Sequence, residues 1–513
     1  MNKLNYKKII LCSMSGLLAA CAFPRIRMFF LMWIAFVPLL FVTMKSDLKD
    51  SFLYGLFSGV VFNIVGLYWF VPMFQFNTSS FVQTIIVSCA LWTYLALYWG
   101  VWCLYLSFSK NIINKKIRHV VSRNIVMIFF GACMWVVLEY IRTYFLTGFP
   151  WMLLGYSQFE FTEIIQIAEF TGVYGVSFII MFCNLCFYFW ISTKKSNRYF
   201  YTALLIIIVI AVFGAFRVDK FNFFGDKEFS VSVVQPNIDQ YKKWTQSYKY
   251  EILTTLKKCA SDIAKKKTDL VLWPETVFAG FVLEDIELHD NVKNVTAIAG
   301  GFNILGCIYN DEEYKPYNVV LSFENGDNYK TVHKKNHIVP FGEFIPFKCF
   351  LAKFFYALKQ TGDLKKGNDT NVFDNGKICV GSAICSENFF PNILRRFVLS
   401  GAKVLTSHTN DAWFFDTAMP YQHFIMNIFR AVENRKTVIV SANSGISGII
   451  EASGIIVAST PSSKKVLLRG VFFQNDFKTF YTKYGDVFAY ICIGLIFVAL
   501  TFVYIPIIIV YMD

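Results

Sequence analysis

Metal-ligand spacing is missing from this sequence. Cys183 and Cys186 are separated by two residues, but no second Cys/His pair stands at a comparable interval, so no zinc site is legible. The thirteen cysteines are an odd number and give no disulfide framework. Most stand singly inside apolar runs, as Cys12, Cys89, Cys103, Cys133 and Cys492 do, where cysteine is a small hydrophobe. Charged residues are scarce too, at 16%. The net charge of +14 would suggest nucleic acid in a soluble protein. Here it is accounted for by Lys and Arg in loops between membrane spans, and no nucleic-acid partner is expected.

Apolar residues are what the chain has in excess. They make up 55% of 513 residues, with a mean hydropathy of +0.46. A soluble protein of this length cannot bury that much apolar surface, so much of the chain faces a lipid bilayer. Apolar runs long enough to span occur at about 9–23, 28–44, 51–73, 80–107, 124–145, 165–192, 199–216 and 486–511. The expected architecture is therefore a multi-pass helical membrane bundle of eight spans, seven of them before residue 220. Lys3, Lys7 and Lys8 followed by Leu18-Ala19-Ala20-Cys21 have the form of a lipoprotein signal peptide. Another span begins within ten residues, so the segment serves as the first span of the bundle.

Basic residues set the orientation. Lys3, Lys7 and Lys8, then Lys45 and Lys49, then Lys110, Lys115, Lys116, Arg118 and Arg123, then Lys194, Lys195 and Arg198 all fall on one side, the cytoplasmic one by the positive-inside rule. The loop Gln75–Ser80 has no basic residue; Arg25 and Arg27 are a minor exception. Both termini are then expected in the cytoplasm. The polar stretch of roughly 222–480, which has no long apolar run, is expected outside it. The domain reading is 1–221 for seven spans, 222–480 for an extracytoplasmic domain and 481–513 for the last span.

Three segments of the polar stretch could carry chemistry. Asp269-Leu270-Val271-Leu272-Trp273-Pro274-Glu275 runs a buried strand into Pro-Glu and leaves a carboxylate at its end. Val332-His333-Lys334-Lys335-Asn336-His337-Ile338-Val339-Pro340-Phe341-Gly342-Glu343 leads a basic cluster into a Gly-Glu corner. Ile378-Cys379-Val380-Gly381-Ser382-Ala383-Ile384-Cys385-Ser386-Glu387 ends a strand of small residues in Cys-Ser-Glu, a sequence able to turn sharply and present a nucleophile. Each segment alone reads more readily as an ordinary strand, a solvated charge run or a buried core cysteine.

Taken together, Glu, Lys and Cys at strand ends, about 60 and then 50 residues apart, resemble the nitrilase (carbon–nitrogen hydrolase) superfamily. The Lys-x-His pattern selects Lys335 over Lys334, and Asn410-Asp411-Ala412-Trp413 and Arg430–Arg435 resemble later segments of that superfamily. The resemblance implies an α-β-β-α sandwich over about 228–470. Such a domain inserted between seven spans and an eighth is similar to the apolipoprotein N-acyltransferases. Val339–Glu343 resembles that family's extension of the lysine segment, Leu146-Thr147-Gly148-Phe149-Pro150-Trp151 its extracytoplasmic loop, and Gln235-Pro236-Asn237-Ile238 with Lys243-Trp244 its opening strand. Ser386 stands where Tyr is common, and Phe414-Phe415 where a Gly is common, which affects the acyl pocket rather than the triad.

The resemblance implies transfer of a fatty acyl chain from a membrane phospholipid to the N-terminal amine of a diacylglyceryl-modified apolipoprotein, at the periplasmic face of a bacterial inner membrane. No metal or cofactor is implied. Cys385 is the expected nucleophile, passing through a thioester; Glu275 is the expected base; Lys335 is the expected oxyanion cation, aided by the backbone N–H of Ser386. Glu343 and Glu387 are supporting candidates. Trp244, Trp413, Arg142, Gly148 and Trp151 are candidate substrate contacts, although the aromatics could equally anchor at the interface and Arg142 could snorkel. A water-poor cleft would favour aminolysis of the thioester. Two other readings share these residues: a membrane-anchored amidase of a small substrate, and a transporter or scaffold with an inactive domain.

Overall fold

The structure is a computed structural model that describes residues 6–77, 80–193, 196–327, 329–345, 348 and 363–512, with the side chains of 77 and 502–512 left aside. Lys3, Thr78, Ser79, Lys194 and Lys195, which entered the sequence reading, lie outside these residues. The chain forms two compact units. One is built from the residues up to Val218 and from Tyr484 onward, the other from Asp219–Lys483.

The first unit is helical. Among the described residues, five helices are long and apolar enough to cross a membrane: Leu48–Gly66, Phe81–Lys116, Val120–Thr147, Val173–Thr193 and Arg198–Phe221. The Leu48 and Phe81 helices approach closely because Gly55 and Gly59 lie one turn apart on the shared face. A Cβ on Gly55 would sit 2.7 Å from the Trp99 carbonyl oxygen, and one on Gly59 2.9 Å from Ala96 Cα. This is the small-residue packing that brings helices together in lipid. Phe36 packs at the centre, with ring centroids 4.5 Å from Trp99 and 4.9 Å from Trp135.

The segment 28–44, expected as one span, is divided. A 3-10 turn covers Phe29–Trp33, and a seven-residue helix covers Val37–Thr43 with Pro38 in its first turn. Pro38 has no N–H, and its ring would clash with the carbonyl four residues earlier, so the helix cannot extend backward through it. Buried side chains satisfy the backbone groups so released. Phe36 N donates to Asn184 Oδ1 (2.9 Å), Asn184 Nδ2 donates to the Met32 carbonyl (2.9 Å), and Leu39 N donates to Ser15 Oγ (2.8 Å). Irregular backbone at membrane depth is tolerated only when buried in protein in this way.

The second unit holds two six-stranded sheets. The strands are β1 (Lys227–Gln235), β2 (Leu270–Leu272), β3 (Phe302–Asn310), β4 (Pro316–Glu324), β5 (Val332–Lys334), β6 (Val372–Asp374), β7 (Cys379–Ile384), β8 (Val404–Thr409), β9 (Val438–Ala442), β10 (Gly448–Ile450), β11 (Ile456–Ser459) and β12 (Val466–Gln474). Their order is β12-β1-β2-β3-β4-β5 in one sheet and β11-β10-β9-β8-β7-β6 in the other. β1, β2 and β3 run parallel, as do β7, β8 and β9.

Alternation along each strand builds the layers. Val231, Val233, Leu270, Leu272 and Ile304 of the first sheet pack on Val380, Ile384, Val404 and Ile439 of the second. The intervening Val234, Val271 and Leu305 face outward onto the helices Lys249–Ala264 and Ile286–Ala299. Helices Pro391–Leu399 and Met419–Asn434 cover the second sheet. The result is a four-layer α-β-β-α sandwich.

Candidate active site

Glu275, Lys335 and Cys385 each follow the carboxyl end of a strand. Glu275 lies three residues past β2, while Lys335 and Cys385 come directly after β5 and β7. At such ends the ladder stops and side chains are free to converge. The Pro274–Thr276 backbone crosses β3 at Gly306, where a Cβ would lie 2.7 Å from Glu275 Cα and 2.8 Å from Thr276 N. Any side chain at Gly306 would push the carboxylate away. The turn Cys385–Phe389 begins with Cys385 at φ 47, a left-handed conformation that costs a non-glycine residue roughly 1–3 kcal/mol and must be held by its surroundings.

Lys335 Nζ donates to Glu343 Oε1 at 2.8 Å and lies 3.6 Å from Glu275 Oε1. Asn318 Nδ2 donates to both carboxylates, at 2.7 Å to Glu275 Oε1 and 3.0 Å to Glu343 Oε1. The Val339–Glu343 corner closes on itself. Glu343 N donates to the Val339 carbonyl (2.8 Å) while Val339 N donates to Glu343 Oε2 (2.7 Å). That closure turns Glu343 back onto Lys335. Glu387 is fully buried and accepts from Ile384 N at 2.7 Å and Asn336 N at 2.6 Å. Ser386 Oγ donates to the His337 carbonyl at 2.9 Å.

Charge follows from this packing. Burial works against the Lys335 ammonium, but Glu343, Cys385 and Glu275 outweigh it and hold its pKa above the usual lysine range. Burial, then the Glu275 carboxylate, push the Cys385 thiol well up, and Lys335 opposes them only in part. The resting thiol is therefore protonated at neutral pH, and its proton must leave as it attacks. Burial and the neighbouring Lys335 pull His337 down to about 4. It is a neutral ring, lying against Phe390 at 3.8 Å between centroids.

The sequence-predicted residues divide between the units. Glu275, Lys335, Glu343, Cys385, Ser386 and Glu387 come together. Trp244 is half exposed at the end of a short helix, and Trp413 is half-buried in the turn Asp411–Phe414. Arg142, Gly148 and Trp151 belong to the helical unit. Arg142 and Trp151 are buried within it, the guanidinium donating to the Trp151 carbonyl at 3.2 Å. Gly148 has φ 85, in the loop where Phe149 N donates to the Arg142 carbonyl at 2.9 Å.

Comparison with known proteins bears on both units. Residues 15–186 match the apolipoprotein N-acyltransferase N-terminal domain and residues 230–472 the carbon-nitrogen hydrolase family. The chain is 31% identical to the apolipoprotein N-acyltransferase of Geobacter metallireducens over 495 residues, 94% of this chain and 93% of that one. The chain belongs to the apolipoprotein N-acyltransferase family. It is also similar to the apolipoprotein N-acyltransferase of Rickettsia prowazekii, 29% identical with 94% of this chain and 95% of that one covered. For apolipoprotein N-acyltransferase 1 of Treponema denticola the figures are 27%, 92% and 91%.

Several groups around the site of this N-acyltransferase family member were given no role from sequence. Lys243, buried, donates to the Glu275 carbonyl at 3.3 Å and to Thr276 Oγ1 at 3.0 Å, and burial draws its pKa to about 8. It pins the loop that carries Glu275, whereas its neighbour Trp244 faces outward. Asn318 comes from β4, beside Val319, which pairs with Lys334. Lys335 N donates to its carbonyl at 2.9 Å. Only the β4–β5 register brings Asn318 to the lysine. His333 and Asp369 form the other unforeseen pair.

Proposed function

We propose that the protein transfers a fatty acyl chain from a membrane phospholipid to the N-terminal amine of the diacylglyceryl-cysteine of apolipoproteins, through a thioester on Cys385. The carrying observation is the buried Lys335, set between Glu275 and Glu343 and electrostatically coupled to Cys385. It occurs in a chain whose similarity to apolipoprotein N-acyltransferases runs nearly end to end.

In the first half-reaction Glu275 takes the Cys385 proton as sulfur attacks the ester carbonyl. The Lys335 ammonium and the Ser386 N–H stabilise the oxyanion. Collapse breaks the ester C–O bond, and Glu275 returns the proton to the departing lysophospholipid. In the second half-reaction the acceptor amine attacks the thioester and loses a proton to Glu275. The amide forms, and the sulfur leaves and is reprotonated. Glu343 orients Lys335, and Glu387 holds the nucleophile turn. Trp244 and Trp413 contact acyl chains, and Gly148 contacts lipid from the membrane unit, whereas Arg142 and Trp151, expected as substrate contacts, are buried and shape that loop from within. Incubation with phospholipid alone should raise the mass of the Cys385 peptide by one acyl group, and a diacylglyceryl-cysteine peptide should remove it. A Cys385 peptide of unchanged mass would reject the mechanism.

The chain is a membrane protein. In the proposed topology it has eight spans in a bacterial inner membrane. Seven lie in 1–221 and the last in 481–513, the catalytic domain 222–480 is periplasmic, and both termini are cytoplasmic. The basic loops support this orientation. Reporter fusions near residues 115 and 300 should give opposite signals; equal signals would overturn it.

A further inference from the structure

We infer that His333 is a positioning residue that, with Asp369, fixes the lysine strand against the nucleophile turn through Glu387. This inference rests on the roles proposed above for Lys335 and Cys385. His333 lies two residues before Lys335, and alternation along the strand puts both on one face. It is fully buried, with Nδ1 3.0 Å from Asp369 Oδ1 and Nε2 3.3 Å from Glu387 Oε2. Glu387 also accepts two backbone N–H groups, one from Ile384 immediately before Cys385 and one from Asn336 immediately after Lys335. One carboxylate thus ties together the peptides flanking both reacting side chains.

An ionised carboxylate only accepts hydrogen bonds. For both contacts to be hydrogen bonds, each ring nitrogen of His333 must carry a proton, so the ring is an imidazolium between two carboxylates. Asp369 is the outer end of the chain, and its Oδ1 also accepts from Lys334 N at 3.3 Å. Its carbonyl accepts from Asn336 Nδ2 at 2.6 Å. Without the imidazolium, Glu387 would be a buried anion lacking a counter-charge, and the left-handed Cys385 would lose part of what holds it.

Among the described residues, the charged groups facing His333 are Asp369 and Glu387. His408 of β8 also acts on it, but burial draws His408 down to about 4, so it is neutral. The Phe397 ring also lies against it, with ring centroids 4.9 Å apart. Burial works against the His333 charge, yet Glu387 and Asp369 overcome it and raise its pKa to about 9. The folded value lies above the ordinary histidine value. The stabilising charge is therefore complete at neutral pH and is lost as pH rises through about 9.

The test measures acyl-Cys385 formation at saturating phospholipid, across alkaline pH, in full-length wild type, His333→Gln and Asp369→Asn. His333→Gln should react roughly 10–100-fold more slowly at neutral pH, with phospholipid KM little changed. The wild-type to His333→Gln ratio should stay constant at neutral pH and fall toward one above about 9, where wild type has lost the same charge. Asp369→Asn should begin its alkaline decline at lower pH than wild type, because one carboxylate fewer supports the imidazolium. It keeps the proposal testable should His333→Gln fold poorly. Equal rates in wild type and His333→Gln, a ratio flat across pH, or an unshifted Asp369→Asn profile would each overturn the positioning role. Absence of acyl-Cys385 in wild type would instead overturn the catalytic reading beneath it.

Discussion

Cys385→Ala should abolish acyl-enzyme formation, and Cys379→Ala should leave it near the wild-type rate. The two thiols share one strand and differ in surroundings. Cys385 caps β7 in a left-handed turn, partly exposed and coupled to Lys335 and Glu275. Cys379 begins the strand, its Sγ donates to the Gly401 carbonyl at 3.3 Å, and burial pushes its thiol up to about 11. Both thiols are protonated at rest, so what separates them is their neighbours: Glu275 and Lys335 act on Cys385, whereas the Lys403 near Cys379 is paired with Asp476 at 2.9 Å. Mass analysis of the two cysteine peptides after exposure to phospholipid separates the cases. An acyl group on Cys379, or equal loss in both variants with the proteins folded, would mean that the nucleophile is misassigned.

Glu275→Gln and Lys335→Ala should each slow both half-reactions, for different reasons. Glutamine keeps an oxygen that can accept from Asn318 Nδ2, as Glu275 Oε1 does at 2.7 Å, so the loop should stay in place. What is lost is the proton acceptor, a general-base contribution of roughly 10²–10⁴-fold. Lys335→Ala removes the oxyanion cation, worth about 10²–10³-fold per donor. It also leaves Glu275 and Glu343 facing one Asn318 amide with no positive charge between them. Breaking a buried pair in this way costs about 3–5 kcal/mol, so this variant should also melt earlier, whereas Glu275→Gln should not. Acylation of Cys385 and its discharge to a diacylglyceryl-cysteine peptide are measured separately, with thermal unfolding alongside. If Glu275→Gln acylates at the wild-type rate, Glu343 becomes the better base candidate, since it shares both Lys335 and Asn318. Glu387 is already committed to two backbone N–H groups.

Much of this protein was legible from sequence because its signals are local. A membrane helix needs a long apolar run, and a half-buried strand needs alternation. A strand running out into Pro-Glu, Lys-x-His or Cys-Ser-Glu carries its chemistry in consecutive residues. Those features indicated a helical membrane unit, and the family resemblance they carry implied a nitrilase-like sandwich in which Glu275, Lys335, Glu343, Cys385 and Glu387 belong to one site. The division of 28–44 was less legible. Its composition is that of a continuous span, and what makes the break stable is Asn184, some 150 residues later, supplying the missing hydrogen bonds.

The remainder of the site was decided by tertiary structure alone. Asn318 reaches Glu275 and Glu343 through the register of β4 on β5. Lys243 reaches the Glu275 loop from a short helix. His333 meets Asp369 and Glu387 across sequence separations of 36 and 54 residues. A lone histidine or asparagine in a strand carries no sign of its partner. Whether it packs, pairs or holds a proton depends on which distant carboxylate the fold places at its nitrogen. The sequence by itself determined which residues could do chemistry and which strand ends would present them. Only the three-dimensional packing decided what holds them there, because burial, charge pairing and hydrogen-bond geometry belong to groups far apart in the chain.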